Sequence, residues 1–304
     1  MFKKILFLKG EDNIRKIKYI YITLLTLFTI YAILDTFIIS TVYEVVDNNN
    51  IVDNNIVTGN IISNDNYYED DNIKISLTTY REYDTTIYVA DVIVNSSDYL
   101  KTYLAKSSYG KNVTEKTSVM ANNVGAILAI NGDYYGARES GYVLKNGVIY
   151  RNKVGSNQED LVIYDDGRME IINEKEVSLE ELKENGAYNI LSFGPGLISN
   201  EKIIVSSSDE ADRSMASNPR TAIGMISENH YVFVVSDGRT NESEGLSLYQ
   251  LALFMTKLNC KTAYNLDGGG SSTMYFNGKV INNPTTNGRK ISERSVSDIV
   301  YIGY

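Results

Sequence analysis

From Tyr19 to Val42 the chain reads YIYITLLTLFTIYAILDTFIISTV, 24 positions whose single charge is Asp35. About 20 apolar residues cross a bilayer, so this pattern predicts one membrane-spanning helix. The pattern then changes. Short apolar runs alternate with Gly, Asn and Asp, and helical periodicity becomes rare. TIYVADVIV (Thr86–Val94) predicts a strand and AILAIN (Ala126–Asn131) a buried one. Asp166 and Gly167 divide LVIYDDGRMEII (Leu161–Ile172) into two strand-like arms. YVLKNGVIY (Tyr142–Tyr150) and TMYFNGKVI (Thr273–Ile281) each carry Asn-Gly, which favours the positive φ of a tight hairpin turn. Helices are expected at Glu115–Asn123, Glu180–Asn185 and Leu248–Asn259. The last is opened by Ser247 and Gln250 in capping-box spacing. The expected fold class is α+β, mostly antiparallel sheet with a few helices, preceded by one N-terminal transmembrane helix.

A weak internal repeat aligns AINGDYY…YVLKNGVIYRN, from Ala129, with AYNLDGGGSSTMYFNGKVINN, from Ala263. Each copy is a buried strand ending in Asn-x-Asp, then a polar loop, then an Asn-Gly hairpin. LSFGPGLISNEKII (Leu191–Ile204) is a looser third version. If the repeat governs the fold, Asn131 and Asp133 meet Asn265 and Asp267 at one cleft. Between anchor and body lies VDNNNIVDNNIVTGNIISNDNYYEDDN (Val46–Asn72), rich in residues that satisfy their own backbone in turns. It reads as a solvated spacer, and its acids match no spaced calcium loop. The expected organisation is a basic segment at 1–18, an anchor at 19–42, a polar linker at 43–75 and a catalytic body at 76–304.

Charge orients this layout. The chain has 29 Lys and Arg against 38 Asp and Glu, a net charge of −9. Residues 1–18 hold Lys3, Lys4, Lys9, Arg15, Lys16 and Lys18 against Glu11 and Asp12, so they carry +4 and the remainder −13. Basic residues before the span place 1–18 in the cytoplasm and the body outside, in a single-pass cell-membrane protein. The apolar stretch is too long for a signal peptide and no small-residue cleavage site follows it, so the anchor is expected to stay. An acidic body argues against nucleic-acid binding, which needs clustered cations. One His and one Cys exclude an intrachain disulfide and a Cys/His zinc site. No cofactor is expected, since the carboxylates show no metal-ligand spacing. His230 reads as an incidental strand-edge residue.

Four motifs carry candidate chemistry. In NLDGGGSST, Asn265 and Asp267 end an apolar strand, Gly268, Gly269 and Gly270 follow, and Ser271, Ser272 and Thr273 add hydroxyls. Glycines let backbone amides face an anion, so this loop suits a phosphate beside a carboxylate. NPRTAIG places Arg220 and Thr221 at a strand start, and a guanidinium matches two phosphate oxygens at once. VVSDGRT brings Asp237 and Arg239 to a strand end. NGDYYGARESG supplies Asn131, Asp133 and two tyrosines that either stack on a sugar or cover the core.

In this order, NGDYY, NPRTAIG, SDGR and NLDGGGSSTM resemble the phosphodiester glycosidase family. The likeness runs from about Ser76 to Tyr304 and takes in the closing ERSVSDIVYIGY with Arg294. It implies hydrolysis of a sugar-1-phosphodiester, of the N-acetylglucosamine-1-phosphodiester type, in exopolysaccharide or other envelope glycans. Arg220, Arg239 and Gly268–Gly270 are then expected to bind phosphate. Asp267 or Asp133 acts at the anomeric carbon, with Asp237 a further catalytic candidate. Asn131 and Asn265 bind sugar hydroxyls, and Thr221, Ser271, Ser272, Thr273 and Arg294 are further substrate contacts. Animal members carry glycine where this chain has Asp133, so the extra carboxylate changes the expected geometry. Two other readings stay open. One is a metal-dependent phosphodiesterase or phosphotransferase of cell-wall glycan phosphates, the other a non-catalytic binder of anionic glycans. The expected partners are a phosphodiester-linked glycan and the membrane.

Overall fold

The computed structural model describes residues 2–46, 60–205 and 217–304, with side chains from Arg15 onward. The Asn-rich repeat of the spacer, from residue 47, lies outside the described residues. The chain divides into two compact units, Met1–Thr41 and Val42–Tyr304.

The first unit is a helix, Phe2–Phe37. Its Arg15–Phe37 part, 23 residues with mean hydropathy 1.8, is long and apolar enough to cross a membrane. The hydroxyls of Thr26, Thr29 and Thr36 donate to the carbonyls four residues back, at 2.9, 2.8 and 2.7 Å. Such bonds hide polar groups that an apolar surrounding would penalise. The helix ends at Phe37, short of the expected Val42. The following IISTV run is β-branched at four of its five positions, which suits extended backbone, and Thr41–Val45 is a strand.

In the second unit, alternating apolar residues make sheets with two buried faces. The largest has nine strands in the order Lys202–Ile203, Gly196–Ser199, Thr262–Asn265, Arg220–Ser227, His230–Ser236, Thr85–Val94, Ile73–Glu82, Tyr67–Glu69 and Ile62–Ser63. All its pairs are antiparallel. A five-stranded antiparallel sheet follows the order Lys279–Val280, Met274–Phe276, Leu128–Asn131, Asp298–Ile302 and Leu100–Leu104. Met169–Asn173, Glu159–Tyr164 and Ala187–Leu191 form a third sheet, also antiparallel.

Strand periodicity decides the layers. Tyr231, Phe233 and Val235 face a central core shared with Leu128, Ile130 and Val300 of the five-stranded sheet and Leu161 and Ile163 of the third. Their neighbours Val232 and Val234 face the other way, with Ile87, Val89 and Ala222, onto the helix Leu248–Lys257. The helix Thr117–Asn123 covers the far face of the five-stranded sheet through Met120 and Ala121. The helix Leu248–Lys257 begins with the expected box: Gln250 N–H donates to Ser247 Oγ at 3.1 Å, and Ser247 N–H to Gln250 Oε1 at 2.9 Å. Such a cap stabilises by about 1 kcal/mol. Both Asn-Gly hairpins are present, with φ of 48° and 77° at Asn146 and Gly147, and 45° and 88° at Asn277 and Gly278.

Part of the stretch expected as linker joins the fold instead. Tyr67–Glu69 pairs with Ile73–Glu82 and carries Ile62–Ser63 at its outer edge. Tyr68 is buried there, and its hydroxyl donates to Asp70 Oδ2 at 2.6 Å, beside that of Tyr304 at 2.7 Å. Polar composition concealed these strands because Tyr68 is their one buried side chain, the rest of the segment being held by backbone pairing and polar contacts.

Candidate active site

The strand Thr262–Asn265 belongs to the nine-stranded sheet and Met274–Phe276 to the five-stranded one. The glycine loop is the crossing between them. Leu266 N–H donates to Thr221 O at 2.8 Å, and Asp267 N–H to Gly132 O at 3.2 Å. Gly269 then takes φ +62°, and its N–H donates to Pro219 O at 2.8 Å. A Cβ on Gly269 would stand 2.8 Å from Arg239 Nη2, and one on Gly270 2.4 Å from Thr286 Oγ1. Only glycine fits under these neighbours. The loop therefore spends the Gly269 amide on holding its own shape.

Asp267 sits at the lip of this loop, its side chain 10% exposed beside the 43% exposed Arg294. Ser271 Oγ donates to Asp267 Oδ2 and accepts from Arg294 Nε at 2.9 Å and Nη2 at 2.6 Å. Arg294 Nη2 also lies 3.5 and 3.4 Å from the two Asp267 oxygens and donates to Gly268 O at 3.0 Å. Burial pushes the Asp267 carboxyl above its ordinary range, while Ser271, Arg294 and the Gly268 amide pull the other way. Arg239 lies over Gly269, braced by Asn218 Oδ1 at 3.2 and 3.0 Å and by Thr286 O at 2.6 Å. Burial and the nearby positive charge of Arg294 lower its affinity for its proton. Two guanidiniums that repel one another beside a glycine loop favour an anion between them.

The structure gathers some expected residues here and withdraws others. Arg220 is buried next to Gly268, with Nε on Leu246 O at 2.9 Å. Asn131 is fully buried beneath the loop. Its amide donates to Asp267 O at 2.6 Å, and its carbonyl accepts Thr221 Oγ1 at 2.8 Å and Thr273 N–H at 3.1 Å. Asn265 donates to Gly194 O at 2.7 Å, and Ser272 and Thr273 are fully buried. The two copies of Asn-x-Asp do abut, but their carboxylates part. Asp133 turns inward to Lys145 and to the amides of Tyr135 and Ser192. Asp237 holds the turn at Asn282 and Asn283: it accepts Asn283 N–H at 2.8 Å, the Asn283 amide at 3.1 Å and Tyr88 Oη at 3.2 Å. His230 is remote from the loop and bonds Asp91 at 2.7 Å. Of the paired tyrosines, Tyr135 is core and Tyr134 is exposed.

Sequence reasoning missed Asn218 and Thr286, which brace Arg239, and Lys145 and Asp298, which receive Asp133. Lys145 and Asp298 had one signal each: a charge at the end of an otherwise apolar strand, Lys145 closing Val143–Lys145 and Asp298 opening Asp298–Ile302. Among the described residues, no three His, Cys, Asp or Glu side chains are grouped to hold a metal ion.

A carboxylate set in a glycine crossing and flanked by guanidiniums, on stacked antiparallel sheets, is an arrangement suited to holding an anion. The chain belongs to the phosphodiester glycosidase family, whose model matches residues 124–303. It is 32% identical over 215 residues to the SPbeta prophage-derived uncharacterized protein YomE of Bacillus subtilis, covering 68% of this chain and 32% of YomE. It is 33% identical over 114 residues to human N-acetylglucosamine-1-phosphodiester alpha-N-acetylglucosaminidase, covering 34% of this chain and 22% of that protein. The chain thus spans a third or less of these relatives. The catalytic domain of the zebrafish enzyme of the same name, solved in a form auto-inhibited by its pro-peptide, shares the fold. The TM-score is 0.61 at 21% identity, over 76% of this chain and 83% of that one.

Proposed function

We propose that this chain hydrolyses the glycosidic C–O bond of a sugar-1-phosphodiester, of the N-acetylglucosamine-1-phosphodiester type named for its human and zebrafish relatives. The observation that carries the reading is the bonded set Asp267, Ser271 and Arg294 at the glycine loop, with Arg239 above Gly269. An ordinary glycosidase needs an acid to protonate a poor leaving group. A phosphodiester leaves as an anion, so Arg239 and Arg294, backed by Arg220, replace that acid by holding the departing charge. Asp267 acts at the anomeric carbon, as nucleophile or as base for water. Asn131, Thr221 and Asn265 hold the loop that presents it, while Asp133 and Asp237 work behind the surface. The N-terminal helix anchors the body outside the cytoplasm, facing envelope or extracellular glycans.

The test incubates the full chain in detergent with an N-acetylglucosamine-1-phosphodiester in oxygen-18 water. Label is expected in the free sugar, and the rate is expected to survive chelation. Label in the phosphate would mean P–O cleavage and would replace this reading by a phosphodiesterase. Binding without turnover would leave a glycan-binding protein.

A further inference from the structure

Three ionisable side chains lie behind the glycine loop, outside the chemistry assigned above. Lys145 comes from the hairpin strand Val143–Lys145, Asp133 from the turn after Leu128–Asn131, and Asp298 from the strand Asp298–Ile302. Lys145 Nζ stands 2.6 Å from Asp298 Oδ2 and 3.1 Å from Asp133 Oδ2, and none of the three side chains is more than 2% exposed. Desolvating such a set is costly, and apolar residues of similar volume often fill such space with no loss of stability. Stability alone therefore does not account for it. Its contacts lead to Asp267. Gly132 N–H donates to Asp298 O at 2.9 Å, and Gly132 O accepts Asp267 N–H at 3.2 Å. Asp298 Oδ1 lies against that same residue, 2.4 Å from where a Gly132 Cβ would be. Asp133 adds bonds from Tyr135 N–H at 2.8 Å and Ser192 N–H at 3.1 Å, which draw in the third sheet.

We propose that Lys145, Asp133 and Asp298 are a positioning cluster for Asp267, fixing the Gly132 peptide that holds its amide and setting the field in which its carboxylate ionises. The proposal rests on the assignment of Asp267 to bond cleavage. The groups facing Asp267 are Ser271 and the Gly268 amide from its own loop, Arg294 from the C-terminal segment, and Asn131 and Asp133 from the neighbouring turn. Arg239 lies one residue further, over Gly269. Lys145 is faced by Asp133, Asp298 and the Tyr135 ring, whose centroid is 5.9 Å away. Loss of the Lys145 charge leaves the cluster more negative and raises the Asp267 midpoint. Loss of the Asp133 charge lowers it. Mere structural damage produces no such opposed pair.

The experiment follows the Asp267 carboxyl by carbon-13 NMR in the full chain, its resonance identified by its loss in Asp267→Asn. Lys145→Gln is expected to move the titration midpoint up, and Asp133→Asn down. Turnover of the N-acetylglucosamine-1-phosphodiester by Lys145→Gln should fall about 10²-fold in kcat, with KM within about twofold, the signature of a misplaced reacting group. If Lys145→Gln does not fold, Lys145→Met, which removes the same charge and fills the space with apolar atoms, should raise the midpoint. Midpoints that stay put or move together, or a folded Lys145→Gln with wild-type kcat, overturn the cluster's role. Opposed midpoints in a chain that never cleaves the phosphodiester would uphold the cluster and reject the assigned reaction.

Discussion

Asn131-Gly132-Asp133 and Asn265-Leu266-Asp267 are the same short pattern at the ends of two buried strands, and they lie against each other. Their carboxylates meet opposite fates. For Asp133, burial works to raise the pKa, but Lys145 and the amides of Ser192 and Tyr135 overcome it and hold the group below the ordinary carboxylate range. For Asp267, burial prevails over Ser271 and Arg294, and the group stays above that range. The pattern fixes where each backbone turns. The partners, which come from elsewhere in the chain, decide which carboxylate is compensated by a buried cation and which is left reluctant to ionise beside Arg294.

Substitution of both aspartates tests that contrast most strongly. Asp267→Asn should cut kcat by at least ~10³-fold, the scale of losing a central catalytic side chain. Its melting temperature should hold or rise, because the change removes a buried carboxylate that ionises reluctantly. Asp133→Asn should lose less activity and more stability, about 1.5–3 kcal/mol on denaturant unfolding, as charged hydrogen bonds weaken. Equal activity loss in both, with equal stability loss, would break the distinction. Arg294→Ala comes next, with about 10²-fold lower kcat/KM and weaker calorimetric binding of inorganic phosphate. It should also raise the Asp267 midpoint, since Arg294 holds that carboxyl down.

The middle residue of each pattern sharpens the comparison. Leu266 is a core side chain, whereas a methyl on Gly132 would lie 2.4 Å from Asp298 Oδ1 and 2.7 Å from its Cγ. Gly132 does not adopt positive φ, so the conflict is purely steric. Gly132→Ala should cost about 1–3 kcal/mol, the range for overfilling a packed interior. An unchanged unfolding midpoint in urea would mean that Asp298 can move aside, and that the cluster does not clamp the Gly132 peptide.

What the sequence disclosed follows the same division. Period-two alternation announced Thr85–Val94, Asn-Gly announced both hairpins, and Ser247 with Gln250 announced the helix Leu248–Lys257. Each of these signals is local, carried by residues a few positions apart. The motif Asn265–Thr273 was legible for a related reason, since consecutive glycines after a strand-end carboxylate restrict what the backbone can do. The inward turn of Asp133 was not legible. It depends on Asp298, 165 positions away, and on Lys145 at the end of an apolar strand, where a charge gives no hint of its partner. The partners of Asp237 were illegible for the same reason, because Asn282 and Asn283 reach it from a loop 45 residues downstream. The strands between Ile62 and Glu69 stayed hidden in a polar composition.

The smallest expected effect is a slope, and it bears on the ion cluster directly. Burial first, and then the negative charge of Asp133, push the Asp298 carboxyl up to about 7, with Lys145 opposing. A group that binds its proton more tightly folded than unfolded adds stability in full below its unfolded pKa, near 4, and loses that contribution as the pH rises through its folded value. Asp133 runs the other way: its contribution is present above about pH 4 and is lost as the pH falls through its lower folded value. Asp298→Asn deletes the first contribution and keeps the second. Urea unfolding of wild type and variant between about pH 4 and 8 should therefore give a stability difference that drifts against the wild type as the pH rises. Curves that remain parallel would mean that Asp298 ionises alike in folded and unfolded chains. The contrast between the two turns would then rest on packing, with the buried charges adding nothing to it.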